Sequence, residues 1–161
     1  MSVPPNQFFS VLSAPLWLIS FMLTRESNSI EQTEAIAAEL ARTLRGGECI
    51  ALDGELGAGK TQFVRGIVRA LGGDARAVSS PTYVLLHIYD CPSIKVFHLD
   101  AYRVAGAEDL TAIGFHELLE QNGVTIVEWA DKVRDILPAE KLIQVRITAT
   151  GETSRRIEIV E

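Results

Sequence analysis

Residues 54–61 read Gly-Glu-Leu-Gly-Ala-Gly-Lys-Thr, which is a complete G-x-x-x-x-G-K-[ST] phosphate-binding loop. The apolar residues 49–52 before the loop predict a strand, and the pattern of residues 62–71 after it predicts a helix. A strand that leads into the loop and a helix that leaves it are the structural context that this motif requires. The stretch therefore predicts a binding site for a nucleoside triphosphate.

The residue types of this loop fit the chemistry of phosphate binding. Glycines allow backbone N–H groups to curl around phosphates, and the start of the following helix adds unpaired donors. The lysine can reach the β- and γ-phosphates as a point charge, and the threonine hydroxyl can ligate Mg²⁺. The predicted nucleotide-binding residues in the loop are Gly54, Glu55, Leu56, Gly57, Ala58, Gly59, Lys60 and Thr61.

Two other apolar runs end in an acidic residue that could serve the metal. Residues 96–100 end in Asp100, and residues 125–128 end in Glu128. Carboxylates at the carboxyl ends of strands lie where ligands bind in open α/β sheets. We expect one of them to support Mg²⁺ opposite Thr61 and the other to orient or deprotonate the attacking water. The spacing leaves open which carboxylate has which role.

Ser80-Pro81-Thr82-Tyr83 lies between the predicted phosphate-loop helix and the next predicted strand. A loop with hydroxyl groups at this place can sense the γ-phosphate, becoming ordered with the triphosphate and released after hydrolysis. A simple turn opened by Ser-Pro is the alternative interpretation. We interpret His87 and His98 as strand residues without a metal role.

The remaining patterns predict an α/β fold class, with a three-layer P-loop NTPase-like domain, a mixed sheet and a C-terminal antiparallel hairpin. Ser29 and Gln32 resemble a capping box that opens a helix, and Gly46-Gly47 ends this helix. The other predicted elements are strands over residues 83–89, 94–99, 124–129, 142–148 and 155–160, and a helix over residues 108–119 that is broken near Gly114.

The charge of the chain argues against direct contact with nucleic acid. Its 161 residues include 21 acidic and 15 basic side chains, which gives a net charge of -6 at pH 7. Affinity for a nucleic-acid backbone comes from counterion release at Lys and Arg, so any link to RNA is expected to act through a partner. Cys49 and Cys91 lack the spacing of a metal site and are interpreted as thiols of a reducing cytosol.

The start of the chain differs from the rest in composition. Residues 8–23 are rich in apolar side chains, but Pro15 and several serines shorten the run below the length of a membrane-spanning helix. No Lys or Arg precedes Arg25, so the basic region of a signal peptide is missing. We predict a poorly ordered apolar extension over residues 1–24, leading into a first strand near residues 17–23, and an ATPase domain over residues 25–161. A membrane-surface segment is the alternative, although we expect no stable membrane association.

Four motifs together resemble the small bacterial TsaE family, the ATPase of tRNA threonylcarbamoyladenosine biosynthesis. Besides the phosphate-binding loop, they are Ser-Pro-Thr-Tyr (80–83), His-Leu-Asp-Ala-Tyr-Arg (98–103) and Val-Glu-Trp-Ala-Asp (127–131). The loop is shared by a very large superfamily, whereas the other three motifs, in this order and in so short a chain, are much more specific. The resemblance covers about residues 27–161.

The resemblance implies catalytic roles for Lys60, Asp100 and Glu128, with ATP and Mg²⁺ as cofactors. Lys60 matches the phosphate-binding lysine, Thr61 and Glu128 match the Mg²⁺ ligands, and Asp100 matches a second acid implicated in hydrolysis. Further residues that the resemblance places at the nucleotide are Thr82 in the switch-like loop, Trp129 beside the metal ligand, and Glu31, Thr33 and Glu152 near the base.

The resemblance also implies a cytoplasmic protein that acts with others. Family members bind the two protein partners of the tRNA threonylcarbamoyl transferase complex, and tRNA is involved only indirectly. ATP hydrolysis, slow in the isolated chain, resets that complex between turnovers. The chain is thus expected to be an ATP hydrolase that supports repeated modification by others.

Two other functions remain open from the residues themselves. A small-molecule kinase also uses a phosphate-binding loop, but it usually carries an Arg-rich lid that closes over the transferred phosphate. Such a lid is not evident here, because the arginines within residues 101–141 are only Arg103 and Arg134. A nucleotide-gated binding module with negligible turnover would keep the loop and metal ligands without a functional water-positioning group. A GTPase is disfavoured because the chain contains no Asn-Lys-x-Asp motif.

Overall fold

A seven-stranded sheet lies at the centre of residues 22–161, which are the residues that this computed structural model describes. Its strands are β1 (Met22–Ser27), β2 (Cys49–Asp53), β3 (Leu86–Asp90), β4 (Lys95–Asp100), β5 (Gly123–Glu128), β6 (Leu142–Ala149) and β7 (Arg155–Val160). The helices are α1 (Ile30–Ala41), α2 (Lys60–Ala70), α3 (Ala107–Ala112) and α4 (Phe115–Leu119), and short 3₁₀ segments cover Ala75–Ala77, Ala130–Ile136 and Ala139–Lys141.

The sheet is mixed, as the sequence predicts. Its strand order is β1-β7-β6-β2-β5-β4-β3. The four central strands β6, β2, β5 and β4 run parallel to one another, and β3, β7 and β1 are added in antiparallel pairs. The predicted C-terminal hairpin is confirmed, because β6 and β7 pair antiparallel with Ile147 opposite Ile157.

Helices cover both faces of the sheet and give the three predicted layers. Every residue of β2 is buried, and alternate side chains enter different cores. Ile50 and Leu52 pack in the core that contains α1 and α2 residues. Cys49 and Ala51 pack in the core that contains α3 and α4 residues. Burial on both faces explains why this strand reads as a continuous apolar run.

The start of α1 is fixed by the predicted capping box. The Ser29 hydroxyl oxygen accepts the N–H of Gln32 at 3.2 Å, and the Gln32 side-chain oxygen accepts the N–H of Asn28 at 2.7 Å. The two bonds satisfy backbone N–H groups at the start of the helix, which have no carbonyl partner within the helix. They fix the residue at which α1 begins.

Some predicted strand boundaries are wrong in detail. The predicted strand over residues 83–89 begins only at Leu86, because the Pro81 carbonyl accepts the N–H groups of Val84 and Leu85 at 3.0 and 2.6 Å in a turn. Leu85 then has a φ of 70°, which no strand residue adopts. The strand predicted to include Trp129 ends one residue earlier. The break near Gly114 that is predicted for the helix over residues 108–119 is confirmed, because α3 and α4 are separate helices on either side of it.

The predicted first strand is described only in part. Met22 and Leu23 belong to β1, while residues 17–21 and the rest of the predicted N-terminal extension lie outside the described residues. Within residues 22–161, no helix has both the length and the apolar character needed to cross a membrane.

Candidate functional site

The phosphate-binding loop joins the carboxyl end of β2 to the first turn of α2, as the motif requires. Gly54 has a φ of 157°, and a Cβ atom added to it would lie 2.6 Å from the carbonyl oxygen of Ile147. Gly59 caps α2 with a φ of 109°, a left-handed conformation that favours glycine. Glycine is therefore required at Gly54 for space and at Gly59 for backbone geometry.

Lys60 is folded back over the loop and is almost fully buried. Its side-chain nitrogen donates hydrogen bonds to the carbonyl oxygens of Gly54 and Glu55, at 2.7 and 3.0 Å. The same nitrogen lies 4.0 Å from the centre of the Trp129 ring, within range of a cation–π interaction. Burial lowers the pKa of Lys60 below its usual 10.5, while the negative charges of nearby carboxylates act against this shift. The ammonium group is thus held in the loop by carbonyls, one aromatic ring and acidic neighbours.

The two predicted acids lie side by side at the edge of the sheet. Asp100 and Glu128 are direct partners in the parallel pairing of β4 and β5. The Thr61 hydroxyl lies 3.1 Å from Glu128 Oε1, to which it donates a hydrogen bond. The geometry therefore joins Glu128, rather than Asp100, to the threonine that is predicted to ligate Mg²⁺.

Asp100 is joined instead to the loop that contains Thr82. Its Oδ2 accepts hydrogen bonds from the hydroxyls of Ser80 and Thr82, at 2.9 and 2.5 Å. Its Oδ1 accepts the N–H of Tyr102 at 2.8 Å. The hydroxyl-bearing loop and the second acid thus form one unit at the same end of the sheet.

These groups surround a cavity of about 820 Å³. Gly54 and Glu55 are not on its wall, and they contact Lys60 through their carbonyls instead. The other predicted site residues on the wall are Glu31, Thr33, Leu56, Gly57, Ala58, Gly59, Lys60, Thr61, Thr82, Asp100, Glu128, Trp129 and Glu152.

The three residues predicted near the base differ in their environment. Glu31 is exposed, and hydrogen bonds from its own backbone N–H and from Ser29 lower the pKa of its carboxyl group. Thr33 is buried, and its hydroxyl lies 2.8 Å from the hydroxyl of Ser27. Glu152 is exposed on the turn between β6 and β7. The structure brings all three to the cavity that contains the loop.

The residues present fit a magnesium–nucleotide complex. A cavity of about 820 Å³ is within the size range of cofactor sites, roughly 300–1,000 Å³. The helix N-terminus at Gly59 and the buried ammonium group of Lys60 suit phosphate. The oxygens of Thr61 and Glu128 are the hard ligands that Mg²⁺ prefers.

Sequence reasoning missed Arg155, which supports the phosphate-binding loop from β7. Its Nε donates to the carbonyl oxygen of Ala58 at 2.8 Å, and its Nη2 donates to that of Gly57 at 3.3 Å. Because a peptide is planar and trans, a fixed Ala58 carbonyl also fixes the N–H of Gly59 on the opposite side. An arginine at the start of a strand so far along the chain gives no sequence signal for this contact.

We expect Arg155→Met to weaken triphosphate binding by roughly 10-fold, because a hydrogen bond to a charged group contributes about 1.5–3 kcal/mol. Equilibrium titration with a fluorescent ATP analogue measures the change. Arg156→Met is the matched control, since Arg156 is on the same strand and pairs with Glu26 at 2.9 Å on the exposed side. Equal affinities of the two variants would show that Arg155 does not organise the loop.

His98 is predicted to have no metal role, and the structure places it in contact with Glu128. Its side chain is fully buried in β4, and its Nε2 lies 2.9 Å from Glu128 Oε1. The motif of residues 98–103 is the sequence signal that could have indicated this role, because it contains both His98 and Asp100.

Comparisons with known proteins show which family the chain is similar to. The profile of the family described as "Threonylcarbamoyl adenosine biosynthesis protein TsaE" matches residues 27–157. Two relatives described as tRNA threonylcarbamoyladenosine biosynthesis protein TsaE are those of Bacillus subtilis and Rickettsia conorii. The first is 38% identical over 79% of this chain and 78% of its own length. The second is 34% identical over 83% of this chain and 75% of its own length.

A solved structure also has the same fold. The crystal structure of YdiB from Bacillus subtilis superposes with a TM-score of 0.71 at 28% sequence identity. The match covers 88% of this chain and 86% of the other chain. The mixed sheet with helices on both faces is therefore shared with that protein.

Proposed function

The chain belongs to the TsaE family of threonylcarbamoyl adenosine biosynthesis proteins, and from this premise we propose that it is a Mg²⁺-dependent ATPase. Its hydrolysis of ATP would support repeated formation of threonylcarbamoyladenosine in tRNA by a cytoplasmic protein complex. The observation that carries the proposal is the convergence of Lys60, Thr61, Asp100 and Glu128 on the wall of one cavity.

The proposed site uses the phosphate-binding loop to hold and orient a triphosphate. Bound ATP and Mg²⁺ supply a γ-phosphoryl group whose oxygens are partly neutralised by the metal. The N–H groups at the start of α2 and the ammonium group of Lys60 hold the phosphates. Thr61 and Glu128 would hold the metal, since their oxygens already lie 3.1 Å apart.

Asp100 is proposed to orient the attacking water and accept its proton. Its Oδ2 is joined to Ser80 and Thr82, so the carboxylate and these two hydroxyls face the cavity together. A carboxylate beside hydroxyl groups can hold a water through several hydrogen bonds. The contact also makes the position of Asp100 sensitive to the loop that contains Thr82.

Two properties support a function through protein partners. Several exposed apolar side chains lie around the mouth of the cavity, including Ile30, Leu56, Tyr83 and Tyr102. Exposed apolar patches on a soluble domain often mark interaction sites. The net charge of -6 suits contact with proteins better than contact with tRNA. We propose that the two proteins of the threonylcarbamoyl transferase complex bind on this side, and that tRNA is reached only through them.

The alternative function as a small-molecule kinase has less support from the arginines. Arg134 is paired with Asp53 at 3.1 Å and with Asp131 at 2.6 Å, and it is not on the cavity wall. Arg103 is on the wall, where its guanidinium lies 4.4 Å from the centre of the Tyr83 ring. Arg155 is also on the wall, but its guanidinium is engaged with the loop carbonyls of Ala58 and Gly57. One arginine stacked on an exposed ring and one bonded to the loop do not make the Arg-rich lid of a kinase.

Product analysis without any acceptor tests the proposal. We expect the chain with ATP and Mg²⁺ to release ADP and inorganic phosphate in equal amounts, and chelation of the metal to stop the release. Release of ADP without phosphate, together with a phosphorylated small molecule when candidates are added, would instead identify a kinase. Tight nucleotide binding without either product would identify a nucleotide-gated binding module.

A further inference from the structure

His98 is a buried polar residue on the face of β4 that leads to the candidate metal site. It is fully buried and lies two positions before Asp100, so the two side chains point to the same side of the sheet. Glu128 lies on the neighbouring strand, directly opposite Asp100. The imidazole is therefore placed beneath the carboxylate that is proposed to hold the metal.

The hydrogen bonds at Glu128 show how this carboxylate is oriented. A carboxylate only accepts hydrogen bonds, so the His98 nitrogen 2.9 Å from Glu128 Oε1 carries the hydrogen. The Thr61 hydroxyl reaches the same oxygen at 3.1 Å. Among the described residues, no donor reaches Glu128 Oε2, and Glu128 lines the cavity. Two donors thus hold one oxygen and leave the other for the cavity.

The other ring nitrogen of His98 lies beside Tyr89, a residue of β3 whose hydroxyl contacts the loop that precedes this strand. The Tyr89 hydroxyl lies 3.4 Å from His98 Nδ1 and 3.2 Å from the carbonyl oxygen of Ser79. Ser79 lies in the same loop as Ser80 and Thr82, the residues that contact Asp100. The orientation of the imidazole is therefore set by the hydrogen bond from Nε2 to Glu128, with the Tyr89 hydroxyl lying beside the other ring nitrogen.

We propose that His98 is a positioning residue that orients Glu128 for the metal. The inference rests on the proposed function, because it concerns how the same site holds Mg²⁺. Residues that contact a metal ligand fix its geometry, and their loss typically lowers metal affinity or activity by about 10–100-fold. His98 would act on the metal only through Glu128.

Burial alone does not explain a histidine at this position. Val96, two residues earlier on the same face of β4, is fully buried and apolar, so this face of the strand also accepts an aliphatic side chain. A buried polar ring lowers stability unless its nitrogens are hydrogen-bonded. The specific contribution of His98 is the hydrogen bond from Nε2 to Glu128, and this bond can be tested separately from packing.

Two amide substitutions separate these contributions. In His98→Gln the side-chain nitrogen reaches the position of Nε2 and can still donate to Glu128, whereas in His98→Asn it reaches only the position of Nδ1. The probe is a fluorescent ADP analogue, whose dissociation constant is measured across a Mg²⁺ titration and again in excess chelator. Mg²⁺ is expected to increase the affinity for the ADP analogue, and the Mg²⁺ concentration that gives half of this increase is the quantity compared. We expect this concentration to be about 10–100-fold higher in His98→Asn. We expect the Mg²⁺ concentration for His98→Gln to be close to that of the unmodified chain. In excess chelator, the affinity for the ADP analogue should be equal in the unmodified chain and in both variants.

Two controls keep the outcome decisive. Thr125→Val changes a buried side chain of β5 that points to the other face of the sheet from Glu128, so its Mg²⁺ dependence should be unchanged. If His98→Asn does not fold, His98→Phe replaces it, because its ring fills similar space without a donor. Equal Mg²⁺ dependence of the donor and non-donor variants would overturn the inference and leave the proposed function in place. If the nucleotide affinity of the unmodified chain does not change with Mg²⁺, both the inference about His98 and the proposed Mg²⁺-dependent function would be overturned.

Discussion

Replacing Lys60 with alanine is expected to lower ATP turnover by about 10²–10³-fold, the usual effect of removing one positioned donor from the site of a developing charge. The lysine is 5% exposed, and its ammonium group already lies in the loop, where Gly54 and Glu55 accept its hydrogen bonds. Among residues 22–161, no other lysine lines the cavity. Triphosphate binding should weaken as well, because the same charge contacts the phosphates in the bound state.

The measurement is phosphate release at saturating ATP and Mg²⁺, with triphosphate affinity determined in parallel. Lys95→Ala is the control, because Lys95 is an exposed residue at the opposite end of β4 that pairs with Asp90 at 3.4 Å. Its turnover should equal that of the unmodified chain. Wild-type hydrolysis by Lys60→Ala would mean that the loop does not perform the chemistry proposed for it.

Replacing Glu128 with glutamine is expected to raise the Mg²⁺ concentration for half-maximal hydrolysis by roughly 10-fold or more. The substitution keeps the shape of the side chain but removes the negative charge that a hard divalent ion requires. Thr61 would keep a hydrogen-bond partner at this position, so the loop should stay in place. The substitution is therefore expected to lower the affinity for Mg²⁺ without displacing the phosphate-binding loop.

Asp100→Asn separates the two acids. Its partners are the hydroxyls of Ser80 and Thr82 and the N–H of Tyr102, not Thr61. We expect this variant to lower maximal turnover with little change in the Mg²⁺ requirement. If Glu128→Gln has a normal Mg²⁺ titration and Asp100→Asn a shifted one, the two proposed roles must be exchanged.

Local sequence signals were sufficient for the loop and for much of the fold. The phosphate-binding loop is specified by glycines and a lysine within eight consecutive residues, and no distant contact is needed to recognise it. Asp100 and Glu128 were placed together correctly, because the carboxyl ends of neighbouring parallel strands lie at the same edge of the sheet. The capping box of α1 was also a local pattern.

The missed features depend on contacts between distant parts of the chain. The residues from Tyr83 to Leu85 have strand-like side chains, but the turn closed by the Pro81 carbonyl prevents a strand there. Trp129 has a φ of 57° just beyond β5, which brings its ring to Lys60. The contacts of Arg155 and His98 require the register of strands that are far apart in sequence. None of these contacts follows from periodicity.

The most direct test is reconstituted tRNA threonylcarbamoylation with the two partner proteins, counting modified tRNA per transferase complex. The reaction is run with this chain, with Lys60→Ala and with no addition. We predict that only the unmodified chain carries the reaction beyond one product per complex, because the proposed function assigns the resetting of the partners to ATP hydrolysis at Lys60. Equal product in all three reactions would contradict the account, since the phosphate-binding loop would then have no part in tRNA modification.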